Sequence, residues 1–232
     1  MTIAIMQPYI FPYIGYFQLI DAVDKFVIYD DVNFINKGWI NRNNILVSGQ
    51  AHLFTIPLKD ASQNKLIYEV ELAVNDPWKK KFLKTLQQSY LKAPNYQKVF
   101  LLIEEIVNFE AGTIAELTLH ALQKICGYMN ITTEIVPSSS VYNNTELKAQ
   151  DRILDICKQE NADHYINPVG GMELYDKSKF AKENIQLNFL KSVASPYSQF
   201  KNAFVPWLSI IDILMFNDTE SINTLLKEYE LI

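Results

Sequence analysis

The sequence predicts an α/β protein with a mostly parallel sheet, and three observations carry that expectation. Short apolar runs alternate with helical patterns at both ends of the chain, the middle of the first half turns strand-rich, and a block of purely helical patterns follows it. Alternating strands and helices place parallel strands under a cover of helices, because a parallel connection needs a crossover. The expected architecture is Rossmann-like, with an antiparallel strand-rich insertion and additional helices. At 232 residues and 49% hydrophobic, the chain suits one α/β domain over 1–232, with a β-rich insertion or sheet extension at 41–75 and a helical segment at 77–129.

In order, residues 3–6 read as a strand, 14–23 as a short helix and 26–30 as a second strand, a β-loop-α-β unit. Residues 45–47 and 52–57 form a hairpin around the turn Ser48-Gly49-Gln50, and 66–74 alternates enough to suggest a further strand. Between 77 and 129 three helical patterns are broken at Pro94 and Gly112, and the last opens on a capping box, Thr113-x-x-Glu116. Strands at 132–136, 164–166 and 185–190 then alternate with helices at 146–160 and 176–183. Two helical patterns, 206–216 and 219–229, finish the chain.

Composition narrows the function classes. A net charge of −5, from 21 basic and 26 acidic residues, argues against the basic stripe of a nucleic-acid binder. Lys79, Lys80, Lys81 and Lys84 follow a helix-start signal, Asn75-Asp76-Pro77 with Asp76 as N-cap and Pro77 first in the helix, and read as a solvated face. Cys126 and Cys157 stand alone in helix-like segments, as small core residues do in a reducing compartment. His52, His120 and His164 share no zinc-type spacing, so no dedicated metal cage is expected. No apolar stretch is long enough to span a bilayer, and Gln7-Pro8 interrupts the first apolar run before a secretory signal is complete; a cytoplasmic protein is expected.

The most informative stretch is Gln7-Pro-Tyr-Ile-Phe-Pro-Tyr-Ile-Gly-Tyr-Phe17, between the first two strands. Pro8 and Pro12 stiffen it, Gly15 allows a close approach or a positive φ, and the aromatics either wall a ligand or cap the core. After the second strand come Asp30 and Asp31, then Lys37, Trp39, Asn41, Arg42 and Asn43: a paired carboxylate, cations and amides near a rigid aromatic loop. Ligands of open α/β sheets bind beyond the carboxyl ends of the strands. By that rule Gln7, the two aspartates and Asn167 with Gly170-Gly171 beyond it are candidates, whereas Ser138-Ser139-Ser140, also at a strand end, reads as ordinary polar loop. The glycine pair followed by a helix suggests a backbone anion nest, with Tyr175 beside it.

The order Gln7-Pro8, Pro12, Gly15-Tyr16-Phe17, Asp30-Asp31-Val32, Lys37 and Asn41-Arg42-Asn43 resembles the WbqC-like family of bacterial proteins. Tyr90, Tyr165, Tyr175, Tyr197-x-Gln199 and Pro206-x-Leu208-Ser209-x-x-Asp212 extend the resemblance along the chain. Members often carry His before the Gln-Pro pair, where this chain has Met6, so no role of that histidine carries over. The family takes its name from a gene of surface-polysaccharide (O-antigen) clusters, which implies work on an activated sugar or on an acyl or aminoacyl group attached to one. A fainter likeness in layout is to Rossmann-like nucleotidylyltransferases, whose His-x-Gly-His loop has Tyr13-Ile14-Gly15-Tyr16 in its place here. Tyrosine cannot supply their imidazolium.

The resulting expectation is a cytoplasmic transferase acting on a nucleotide-linked amino sugar or its acyl donor; the alternative is a non-catalytic binding module of the same pathway. Asp31, Asp30 and Lys37 are the candidate catalytic groups; neighbouring strand residues point to opposite faces, so one aspartate is expected to reach the site as base, and Asp31 is the choice. Arg42 is expected to grip phosphate or carboxylate, Tyr9, Tyr16 and Trp39 to wall a sugar or base, and Gln199 to reach the cleft; Asp212 reads as a core carboxylate. The aspartate pair can also share a Mg²⁺ brought by a substrate phosphate. The expected partner is thus a small molecule, and the sequence does not fix the oligomeric state.

Overall fold

The computed structural model describes residues 1–73 and 76–232. Its main sheet holds β1 (Thr2–Met6), β2 (Lys25–Ile28), β5 (Glu134–Val136), β6 (His164–Pro168), β7 (Gln186–Ser192) and β8 (Tyr229–Leu231), in the order β5-β2-β1-β6-β7-β8. The first five strands in that order are parallel, and only β8 runs antiparallel, on β7. A separate antiparallel pair, β3 (Arg42–Val47) and β4 (Gln50–Thr55), forms the predicted hairpin. It extends no edge of the main sheet.

Alternation within the strands sorts the two faces. Ile3, Ile5, Val27, Tyr165, Leu187 and Phe189 pack with Ile153 and Ile156 of α5 (Ala149–Gln159) and Phe180 of α6 (Lys177–Lys182). On the opposite face Ala4, Phe26, Ile28, Ile166 and Leu190 join a larger cluster with α1 (Ile14–Asp21), the hairpin and the helical block. In α1 every residue from Ile14 to Ile20 is buried; the stretch is apolar but for Gln18, whose Nε2 donates to the carbonyls of Leu225 and Glu228. Phe17 is wholly buried there, and its truncation to alanine should cost about 3–5 kcal/mol.

The helical block comprises α2 (Trp78–Tyr90), α3 (Tyr96–Asn108) and α4 (Ile114–Tyr128). Its capping box is formed: Thr113 Oγ1 accepts from the Glu116 amide at 3.2 Å and Glu116 accepts from the Thr113 amide at 3.3 Å. The start of α2 falls one residue later than expected, with Pro77 flanking the helix and no side-chain cap; Asn75 of that signal lies outside the described residues. The last helices are α7 (Ile210–Phe216) and α8 (Thr219–Leu226). No helix among the described residues is long and apolar enough to cross a membrane.

Two expectations need correction. Residues 66–73 form no strand; Ile67–Glu69 is a 3-10 turn with only isolated bridges around it, while Val74 lies outside the described residues. Its buried residues Ile67 and Val70 are three apart, which suits a 3-10 turn better than a strand. The last helical pattern, expected to run to Tyr229, instead ends with α8 at Leu226, and the chain returns from Tyr229 to Leu231 to pair with β7 as β8.

Candidate functional site

The sheet order locates the crevice. From β1 the chain adds β2 and β5 on one side, then crosses over to add β6 and β7 on the other, so the order reverses between β1 and β6. Beyond the carboxyl ends of β1, β6 and β7 lies a cleft of about 490 Å³, in the usual range for small-molecule sites. The aromatic rings of Tyr9, Tyr13, Trp39 and Trp207 wall it, with Asn43, Asn44 and Ser192 among its polar groups. A larger hollow, about 960 Å³, opens between the hairpin turn and α2 but touches no strand of the main sheet. Position at the switch point and convergence of polar groups single out the strand-end cleft.

Buried hydrogen bonds hold the aromatic loop in one shape. Asn43 Nδ2 donates to the Phe11 carbonyl at 2.9 Å, and Ser209 Oγ donates to the same oxygen at 2.8 Å. Asn43 Oδ1 accepts from the Asn44 amide, the Ser209 amide donates to the Asn44 carbonyl at 2.8 Å, and the Ile210 amide donates to the Pro12 carbonyl at 2.8 Å. Loop, hairpin and the start of α7 are thereby tied together. Phe11 and Trp207 both adopt left-handed backbone, at φ 43° and 59°, which bulky side chains adopt only when their surroundings impose it. Trp207 remains half exposed, with its ring edge-on to Tyr13 at 5.8 Å.

Several polar groups in the cleft are unspent. The hydroxyls of Tyr9 and Tyr13 and the side-chain amide of Asn44 make no hydrogen bond among the described residues, and the Ser192 hydroxyl is buried without a partner. Burial raises the pKa of both tyrosines, with a further push on Tyr9 from Tyr13, so both phenols stay protonated donors.

The aspartates stand at the other end of the carboxyl edge. Asp30 Oδ1 accepts from Ser138 Oγ at 2.6 Å and from the Ser139 amide at 3.3 Å, while Oδ2 bonds no other described residue. Burial pushes the pKa of Asp30 up, against the opposing bond from Ser138. Asp31 is fully committed: its carboxylate takes the guanidinium of Arg152 and the Ser139 hydroxyl, and both ion-pair partners are buried. Arg152 also donates to Asn144 Oδ1 at 2.9 Å and lies 5.0 Å from the centre of the Tyr29 ring. The arginine that locks this strand end is therefore Arg152 of α5. No group of three or more metal-type side chains occurs among the described residues, and a Mg²⁺ would draw on Asp30 and the substrate phosphate rather than on the aspartate pair.

The remaining predicted residues divide by place. Tyr9, Trp39 and Asn43 come together in the cleft. Arg42 donates to the carbonyls of Gly38 and Lys37 and lies 5.9 Å from the Trp39 ring, so it shapes the turn that presents Trp39. Lys37 itself is exposed, at φ 60°. Asn41 donates to the Ile56 carbonyl at the hairpin base. Gln7 sits at the end of β1, where its carbonyl accepts from Tyr16, a buried ring beneath the loop. Gly15 has no positive φ and lies in α1, where an added Cβ would meet the Tyr13 ring at 2.4 Å.

Asn167 donates to the Tyr165 hydroxyl at 2.7 Å, and Tyr175 shares that hydroxyl at 3.4 Å. Gly170 and Gly171 lie in a 3-10 turn and neither has a positive φ, so they lack the alternating backbone of an anion nest. Gly171 instead accommodates the Asn167 side chain. Gln199 is buried away from the cleft: it donates to Asp212 at 2.7 Å, alongside Tyr90 at 2.8 Å and Tyr197 at 2.7 Å, which makes Asp212 a satisfied core carboxylate. Of the cleft residues that sequence reasoning missed, Pro12 and Tyr13 lie inside the aromatic loop and Trp207 inside the Pro206-x-Leu208 motif. Ser192 follows from the strand-end rule once β7 is extended two residues beyond Leu190.

Comparison with known proteins finds sequence similarity along most of the chain. The uncharacterized protein Rv1507c of Mycobacterium tuberculosis is 28% identical over 214 residues, covering 91% of this chain and 92% of its own. No solved structure matches. The profile of the WbqC-like protein family matches residues 7–224, a span that takes in the aromatic loop, both aspartates and every wall of the cleft, and the chain belongs to that family.

Proposed function

We propose that the protein is a group-transfer enzyme of bacterial surface-polysaccharide biosynthesis that holds the sugar of a nucleotide-linked substrate in the strand-end cleft. One observation carries the reading: aromatic rings wall a cleft at the switch point and leave amide, hydroxyl and phenol groups unspent. Sugar rings present apolar C–H faces to aromatic side chains and hydroxyls to such polar groups. Asp30, one strand over from β1, is the better general base of the two aspartates, because Asp31 is held by Arg152. It would take the proton of an attacking hydroxyl or amine as that atom bonds the acyl carbon of an activated donor, while the acyl carbon's bond to the donor's carrier breaks and the carrier leaves with the electron pair.

A second reading has its own support. Among the described residues no carboxylate, imidazole or thiol lines the cleft, as suits a module that binds an activated sugar without transforming it. A thermal-shift screen against nucleotide-sugars, free nucleotides, acyl-coenzyme A and aminoacyl compounds tests the sugar site, since a ligand of the folded state raises Tm. A nucleotide-sugar shift that Trp207→Ala abolishes is expected; a complete absence of shifts refutes the site. Asp30→Asn then separates the readings. Lost turnover with retained affinity supports the enzyme, and binding without turnover in the unaltered protein supports the module.

A further inference from the structure

The lining of the cleft says more about the sugar than its size does. No side chain that is charged at neutral pH is among the lining groups, and burial keeps Tyr9 and Tyr13 protonated. Of the buried carboxylates at the strand ends and in α7, Asp31 pairs with Arg152 and Asp212 is enclosed by Tyr90, Tyr197 and Gln199, while Asp30, which keeps one oxygen free, is not among the lining residues. An ammonium or a carboxylate entering this cleft would leave its hydration shell without meeting a counter-charge among the lining residues, since Arg42, behind Trp39, spends its guanidinium on the Gly38 and Lys37 carbonyls. Besides the phenols of Tyr9 and Tyr13, the cleft lining holds one amide and one aliphatic hydroxyl without partners among the described residues. The Asn44 amide, half-buried, has both a donor and an acceptor free, while Asn43 beside it spends its own amide on the loop. The Ser192 hydroxyl is buried and unsatisfied, a state that native proteins rarely keep without a use.

We infer that Asn44 and Ser192 read a neutral acylamino group, so the sugar held in the cleft carries its nitrogen as an amide rather than as a free amine. This deepens the proposed function and rests on its sugar site. A primary amide and a secondary amide are complementary, donor to acceptor, and rotation of Ser192 about χ1 between staggered wells turns its hydroxyl toward the ligand. Any hydroxyl or amine that accepts the transferred group then lies outside the cleft, on the side of Asp30.

Binding of matched methyl glycosides tests this. N-acetylglucosamine, N-acetylgalactosamine, the two free amines and the two uronic acids are titrated by ligand-observed NMR. An acetylated member should bind at least about tenfold tighter than its amine and uronate counterparts. Asn44→Ala and Ser192→Ala should each remove about five- to tenfold of that preference, whereas Trp207→Ala should weaken all the sugars alike. Equal binding of the amine or uronate, or an unchanged preference in both variants, overturns the inference and leaves the sugar site standing. Absence of binding by every sugar, with Trp207→Ala silent, refutes the site and the inference together. Thermal melts supply an arm that needs no ligand: Ser192→Ala should melt at or above the unaltered protein, and a fall of several degrees would mean that its hydroxyl is bonded within the fold, which removes it as a reader.

Discussion

The two ends of the carboxyl edge of the sheet solve opposite problems. Over β2 and β5, charge is concentrated and satisfied: Asp31, Arg152, Ser139 and Asn144 close on one another. Over β1, β6 and β7 no charged side chain lines the cleft among the described residues, the walls are aromatic, and polar groups are left without partners. The acidic end looked catalytic in the sequence because paired aspartates are conspicuous. Its partners turn most of it into a fastening between β2 and α5, with only Asp30 keeping a free oxygen. The aromatic end spends its internal bonds on the backbone of its loop and keeps its side chains for something else.

The contrast breaks most visibly at Arg152. Arg152→Ala leaves Asp31 buried without its counter-charge, and loss of one partner of such a pair costs about 3–5 kcal/mol. Urea denaturation should show the midpoint falling with an unchanged slope. A loss below about 1 kcal/mol, the scale of an exposed pair, would mean that Asp31 is free for chemistry after all. At the aromatic end the equivalent fastening is Asn43, and Asn43→Ala should cost about 1–3 kcal/mol through its lost bonds to the loop. Ligand affinity should fall along with stability there. Stability lost without affinity would show that loop shape does not govern the cleft.

Asp30 sharpens the comparison through pH. Burial raises its pKa above the ordinary 3.8, so the folded state holds a proton that the unfolded chain has already released. The stabilising contribution is therefore complete below the unfolded value and is lost as pH rises through the folded one. Carbon-detected NMR of the Asp30 carboxyl should give a midpoint above 3.8, and Asp30→Asn should remove this part of the pH dependence of stability. A midpoint at or below the ordinary value would place Asp30 with Asp31, as a group used for structure.

How much of this was legible in sequence follows from the range of each signal. The parallel sheet was readable because β1, β2, β6 and β7 carry local apolar runs, and the capping box at Thr113 because its partners are three residues apart. The Asp31 to Arg152 pair spans 121 positions, and nothing local marks Arg152 among the residues of α5. Tyr9, Trp39 and Asn43 were found from the density of aromatics and amides near the first two strands. Ser192 and Trp207 reach the cleft only through the sheet order, which decides that β7 and the segment before α7 end beside the loop. Gly170-Gly171 misled because sequence shows glycine but not φ.

That glycine pair gives the smallest expected effect and a clear test of the uncharged character of the aromatic end. An added Cβ at Gly170 meets nothing within 4 Å, and the residue has no positive φ. Gly170→Ala should therefore leave stability unchanged or raise it by up to about 1 kcal/mol, through the reduced freedom of the unfolded chain, with nucleotide-sugar affinity untouched. At Gly171 an added Cβ would come within 2.1 Å of Asn167 Oδ1, so Gly171→Ala should destabilise by displacing that side chain from Tyr165. A phosphate cradled by this turn would reverse the order. It would need the backbone approach that only glycine permits, and Gly170→Ala would then cut affinity at unchanged stability. Titration of both variants with one nucleotide-sugar, beside their melts, decides whether the turn after β6 touches the ligand or only supports Val169, its contribution to the cleft wall.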